Sequence, residues 1–151
     1  MRAIAIAVLV GACFAPVSVA QAPDWAVAVF PSGAEFSLEI AASDADRQRG
    51  YMFRKKVPPT EGMLFLFKAT ERHGIWMKNC HVALDIIWLD ASFRVVEIFA
   101  DAQPCPAEGP CPSMKPMLAA DYVLEIAGGR AAEERLEPGD PVIIHAEPPL
   151  Q

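Results

Sequence analysis

Asp85 sits inside the apolar run Leu84-Asp85-Ile86-Ile87-Trp88-Leu89, and an acid in such a run is costly to bury without partners. Upstream of it lies a polar elbow, Lys78-Asn79-Cys80-His81, preceded by Trp76. With Arg54 and Glu125, these residues form the constellation best suited to chemistry: Arg54, Trp76, Asn79, Asp85 and Glu125. An arginine fork beside a carboxylate and an amide can hold a small polar ligand, with the indole as a stacking surface. The plain structural alternative is that Asp85 accepts backbone hydrogens, or pairs with Arg54, and simply locks the elbow.

Reaction chemistry is more thinly supplied. Cys80 and His81 are neighbours, and neighbours on an extended chain point to opposite faces, so they make a poor nucleophile and base. The chain lacks Gly-x-Ser-x-Gly, His-Glu-x-x-His and a phosphate-cradling glycine loop. Glu61 with Asp85 or Glu125 offers a carboxylate pair of the kind used in glycoside hydrolysis. With nineteen acids in the chain, such pairs arise readily. Met63, Met77, Cys80, His73, His81 and His145 are soft or borderline metal ligands, the mixture an exported copper protein would use. They show no Met-x-x-Met or His-x-His clustering, and Met63 and Met77 lie in apolar runs where methionine fills core gaps. The leading expectation is therefore a non-enzymatic binding or accessory domain for a small polar or carbohydrate-like ligand, with no metal and no cofactor. The alternatives are an envelope hydrolase working through carboxylates and a periplasmic copper-handling protein.

The termini and cysteines bear on location. Met1-Arg2, the apolar stretch Ala3 to Ala12 and the small residues Ser18-Val19-Ala20 read as a signal peptide cleaved after Ala20. The apolar stretch is too short to span a bilayer, which takes about 20 residues. Val10-Gly11-Ala12-Cys13 loosely resembles a lipoprotein signal, with Cys13 as the alternative anchor. Export to the periplasm or medium suits the proline-rich loop Cys105-Pro-Ala-Glu-Gly-Pro-Cys111, whose two cysteines are expected to form a disulfide. Cys80 then remains as a small buried hydrophobe or a reactive thiol. The formal charge of −6 argues against a nucleic-acid partner, and the length suits a monomer-sized single domain.

The elements that must position these residues follow from pattern. Glu35 to Ile40 alternates as a half-buried strand. Ser43 or Asp44 can cap a short helix that runs through Arg49 and stops at Gly50. Met63 to Phe67, Ile75 to Met77, Leu84 to Leu89, Arg94 to Phe99, Tyr122 to Ile126 and Val142 to His145 read as strands. Asp90 to Phe93 reads as a turn and Ala131 to Leu136 as a helical turn. Trp76 and Trp88, both in predicted strands, are expected to pack in the core. The sum is an α+β, β-rich single domain, a curled or partly open barrel with one or two short helices.

Four groups of residues, in order, resemble the DUF192 family of uncharacterised exported bacterial and archaeal proteins. They are Arg47-Gln48-Arg49-Gly50-Tyr51-Met52-Phe53-Arg54; Glu61-Gly62-Met63-Leu64-Phe65-Leu66-Phe67; Trp76-Met77-Lys78-Asn79 with Leu84-Asp85-Ile86-Ile87; and Tyr122-Val123-Leu124-Glu125 with Gly128 and Gly139-Asp140. The resemblance implies a compact β-rich domain and no established activity, substrate or cofactor. It also implies that Cys80 replaces a common threonine, and Tyr51 a frequent leucine, so thiol chemistry at Cys80 would not be a family trait. The expected organisation is a signal peptide over 1–20, a linker or first strand over 21–34, and the DUF192-like domain over 35–151.

Overall fold

The computed structural model describes residues 23–106 and 108–150, which contain seven strands and two short helices. The expected signal peptide over 1–20 and the alternative lipid anchor at Cys13 fall outside those residues. The strands are β1 (Trp25–Val29), β2 (Glu35–Ala41), β3 (Glu61–Glu71), β4 (Leu84–Leu89), β5 (Val95–Ala102), β6 (Ala120–Ala127) and β7 (Ile143–Ala146). They form one mixed sheet in the order β5-β4-β6-β3-β2-β1-β7. Only the β2–β3 pair is parallel, and helix α1 (Asp44–Arg49) lies in its connection. At the far ends of the sheet Arg94 and Pro141 form an isolated bridge. The sheet therefore curls until its ends nearly meet, yet β5 and β7 do not pair along their length and it stays open. This is the β-rich, single-domain architecture that the pattern of the chain predicts.

Period-two alternation sends successive side chains to opposite faces, and each face carries its own core. Phe36, Leu38, Leu64, Ile87, Leu89, Leu124 and Ile126 pack on one face, with Ala131 and Leu136 from around helix α2 (Arg130–Glu133). Met63, Phe65, Leu84, Ile86, Trp88 and Val123 pack on the other, beneath Tyr51, Ile75, Met77 and Cys80. All six residues of β4 are buried because both of its faces are covered, which explains its nearly unbroken apolar sequence.

Helix α1 forms where the capping residues place it. The Ser43 hydroxyl accepts the Asp46 amide at 3.1 Å, Asp44 and Asp46 occupy the first turn, and Arg47 and Arg49 the last. These charges complement the helix dipole. Gly50 ends the helix at φ +43.

One element differs from expectation. Ile75 to Met77 is not a strand of the sheet. It belongs to a strap crossing the second face, whose backbone bridge is to a neighbouring loop rather than to a strand: Ile75 donates to Met114 O at 2.9 Å and Met114 donates back at 2.7 Å. Alternation persists, burying Ile75 and Met77 and exposing Trp76, so the sequence looks like a strand although its partner is a loop. The Cys105–Cys111 disulfide is formed and closes that loop. Among the described residues no helix is long and apolar enough to cross a membrane.

Candidate functional site

The two acids of the constellation end on opposite sides of the sheet. Asp85 pairs in register with Ile126, and Glu125 with Ile86 and Met63, so Asp85 shares the first face and Glu125 the second. Asp85 is fully buried. Its Oδ1 accepts the amides of Asp101 at 2.7 Å and Gly129 at 3.0 Å, and its Oδ2 accepts that of Ala131 at 2.7 Å. Gly129 is the N-cap position of α2 and has no side chain to cap with. The carboxylate of β4 does that work from a distance, and acceptors and negative charge are both favoured at a helix start.

Glu125 has a different environment. It is 96% buried, with 4% exposure, yet no hydrogen bond or ion pair to its carboxyl is found among the described residues. Desolvation alone pushes its pKa up from 4.5 to about 8. It lines a cavity of about 320 Å³ with Tyr51, Phe65, Phe67, Ile75, Trp76 and Cys80. Helix α1 roofs one side through Asp44, Arg47, Gln48 and Arg49. Gly50 passes so close that a Cβ there would lie 3.3 Å from Phe65 Cζ and 3.8 Å from Glu125 Oε2. A side chain at this position would press into the floor of the cavity.

The walls are fixed by polar contacts that leave the floor alone. Arg47 donates to Ala42 O at 2.5 Å and Leu66 O at 2.7 Å, pairs with Asp44, and lies over the Phe67 ring. His73 stacks on the same ring with centroids 3.6 Å apart, and its carbonyl accepts Trp88 Nε1–H at 2.8 Å. The strap is thereby tied to β4. Trp88 is buried, as expected of a core residue, whereas Trp76 is 45% exposed at the rim with Lys78 Nζ 5.1 Å from its ring centroid.

Of the five residues, the structure brings Trp76 and Glu125 into one cavity. Arg54 lies just outside it, held by both oxygens of Glu39 at 2.5 and 2.6 Å and set over the Tyr51 ring. That pairing raises the Arg54 pKa and lowers the Glu39 pKa. Asn79 stands at the elbow with φ +57, where its carbonyl accepts the Phe53 amide at 2.8 Å, and Phe53 also has positive φ. Cys80 is buried and lines the cavity, and burial followed by the nearby Glu125 pushes its thiol pKa up to about 11. It is a neutral wall group at physiological pH rather than a thiolate nucleophile. Tyr51, Phe65 and Phe67 are cavity residues that sequence reasoning did not select. Their positions in apolar or turn segments look like ordinary core, and only the fold distinguishes a cavity wall from a core contact. No cluster of three His, Cys, Asp or Glu residues suited to a metal occurs among the described residues.

Comparison with known proteins places these features in a family context. Residues 27–144 match the model of the family DUF192, described as "Uncharacterized ACR". No curated protein matches the chain. Two solved structures are similar over nearly the whole domain. A protein of unknown function from Novosphingobium aromaticivorans DSM 12444 is 33% identical, with a TM-score of 0.71, covering 89% of this chain and 94% of that one. A protein from Sinorhizobium meliloti 1021, described provisionally as a transcription regulator, is 26% identical with a TM-score of 0.71, covering 84% of this chain and 97% of that one.

Proposed function

The chain belongs to the DUF192 family, and from that premise we propose that it is a non-enzymatic binding or accessory domain of the cell envelope. It holds a small polar or carbohydrate-like ligand in the cavity between Trp76 and Glu125. The observation that carries this reading is the Glu125 carboxyl: the residue is 4% exposed, lines the cavity, and has no hydrogen-bond or ion-pair partner among the described residues, while its oxygens are not sealed away from the cavity. Buried polar groups are nearly always satisfied, and an unpaired acid is expensive. A ligand that completes its hydrogen bonds offsets that cost. Trp76 supplies a large apolar surface at the rim. Asp85 holds the scaffold through α2, Arg54 pairs with Glu39 outside the cavity, and Asn79 fixes the elbow through the Phe53 amide. The periplasm or the medium is the proposed location, with which the Cys105–Cys111 disulfide is compatible.

Trp76 gives the test its signal. Sugars, polyols and small amides, screened by tryptophan fluorescence and thermal shift, should include compounds that stabilise the wild type. Trp76→Ala and Glu125→Leu should both abolish the response. Compounds that bind both variants as well as the wild type would place the ligand elsewhere and overturn the reading.

The hydrolase alternative finds one feature in its favour, since a carboxyl with a raised pKa suits a general acid. It lacks the second carboxylate it was expected to use: Asp85 is on the opposite face and fully engaged, and Glu61 does not line the cavity. The provisional description of the Sinorhizobium meliloti protein is said of that protein alone, and the formal charge of −6 argues against a nucleic-acid partner for this chain.

A further inference from the structure

The polar groups at the floor of the cavity define what they can receive. Glu125 and Tyr51 both line it, are 4% and 3% exposed, and make no side-chain hydrogen bonds among the described residues. They lie close enough that the Glu125 charge, after burial, raises the Tyr51 pKa. Of the cations near the cavity, only Arg49, exposed on the α1 roof, has no side-chain partner among the described residues. Arg47 is held by two carbonyls and Asp44, Arg54 by Glu39, and these two guanidinium groups and the Lys78 ammonium lie over the rings of Phe67, Tyr51 and Trp76.

Resting on the proposed binding function, we propose that the buried end of the ligand is an uncharged group that both donates and accepts hydrogen bonds, such as an amide or adjacent hydroxyls, held between the Glu125 carboxyl and the Tyr51 hydroxyl. An anion at the floor would lose its hydration and face the Glu125 acid, while the uncommitted Arg49 guanidinium sits on the exposed roof of the cavity. An ammonium would have to ionise Glu125 and bury both charges, beside rings whose faces already carry Arg47, Arg54 and Lys78. A neutral amide or diol avoids both costs, because a carboxylic acid and a phenol each offer one donor and acceptor lone pairs. The neutral state of Glu125 follows from the same burial. The cavity, about 320 Å³, corresponds to roughly ten water volumes and admits one small ring.

Benzamide, benzoate and benzamidinium have nearly the same shape and differ in charge, so they separate these cases. Titrations at pH 7, followed by ligand-observed NMR and Trp76 fluorescence, should show benzamide binding at least tenfold more tightly than either ion. Glu125→Gln, which keeps a neutral donor and acceptor, should hold benzamide within about threefold of the wild type. Tyr51→Phe should weaken it about five- to tenfold, the effect of one lost hydrogen bond. Preference for benzamidinium, lost in Glu125→Gln, would show a charge-paired site; preference for benzoate would show an anion site. Either result overturns this inference and leaves the binding function standing. If none of the three binds while a sugar or polyol responds to Trp76→Ala and Glu125→Leu, hydroxyl recognition remains and the amide form is excluded. If no probe of any class binds, the binding function itself fails.

Discussion

Asp85 and Glu125 look alike in the sequence, each an acid between aliphatic neighbours, and the fold gives them opposite roles. Asp85 has three backbone amides as partners. Asp85→Asn keeps the shape but loses charge and acceptor capacity at the start of α2, so about 2–4 kcal/mol of stability should be lost. Denaturant unfolding measures it. Glu125 has no such partners among the described residues, and its stability effect runs the other way. In the unfolded chain it ionises near pH 4.5, whereas the folded protein keeps the proton until about pH 8. Unfolding between these values releases a proton, so raising the pH lowers stability, by at most about 1.4 kcal/mol per pH unit. Below pH 4.5 and above pH 8 the effect levels off. The difference in unfolding free energy between wild type and Glu125→Gln, measured from pH 4 to pH 9, should show this slope, because groups common to both proteins cancel. Asp85 is legible as important from its apolar run, whereas Glu125 enters the sequence reading only as a member of the polar constellation. Which face each occupies is not legible, because that depends on pairing register among β3, β4 and β6, which are distant in sequence.

At the scale of elements, the sequence carries the local signals plainly and the non-local ones faintly. Helix α1 from its Ser43 cap to Gly50, the buried strand β4 and the Cys105–Cys111 loop all follow from short-range chemistry. The strap over the second face has the sequence of a strand because alternation reports burial on one side and not the identity of the hydrogen-bonding partner. That partner is the loop held by the disulfide: Cys105 donates to Met77 O at 3.2 Å, and Ile75 and Met114 exchange two bonds. The wall carrying Trp76 thus leans on the crosslinked loop. Cys105→Ser with Cys111→Ser should cost about 2 kcal/mol, as expected for so short a loop. It should also increase amide exchange at Ile75 and Met114 ahead of exchange in β4 and β6. Equal protection at Ile75 in the two proteins, measured by hydrogen exchange, would show that the strap stands without the brace.

The whole molecule divides its labour between the faces of one curled sheet. The first face closes on itself around Phe36, Leu38, Leu124 and Ile126 and is finished by α2, with Asp85 as the pin. The second is covered only by α1, the strap and the disulfide loop, and this looser cover leaves room for a cavity above Glu125. A buried acid kept for packing and one kept for a ligand differ in a measurable way. Replacing an acid that the fold needs leaves its partners unsatisfied, whereas replacing an unpartnered acid with an aliphatic side chain of similar size removes a cost. The most direct test is the unfolding free energy of Glu125→Leu at pH 7. It should equal or exceed that of the wild type, by up to about 3 kcal/mol; a loss of more than about 2 kcal/mol would make Glu125 part of the scaffold and contradict the account.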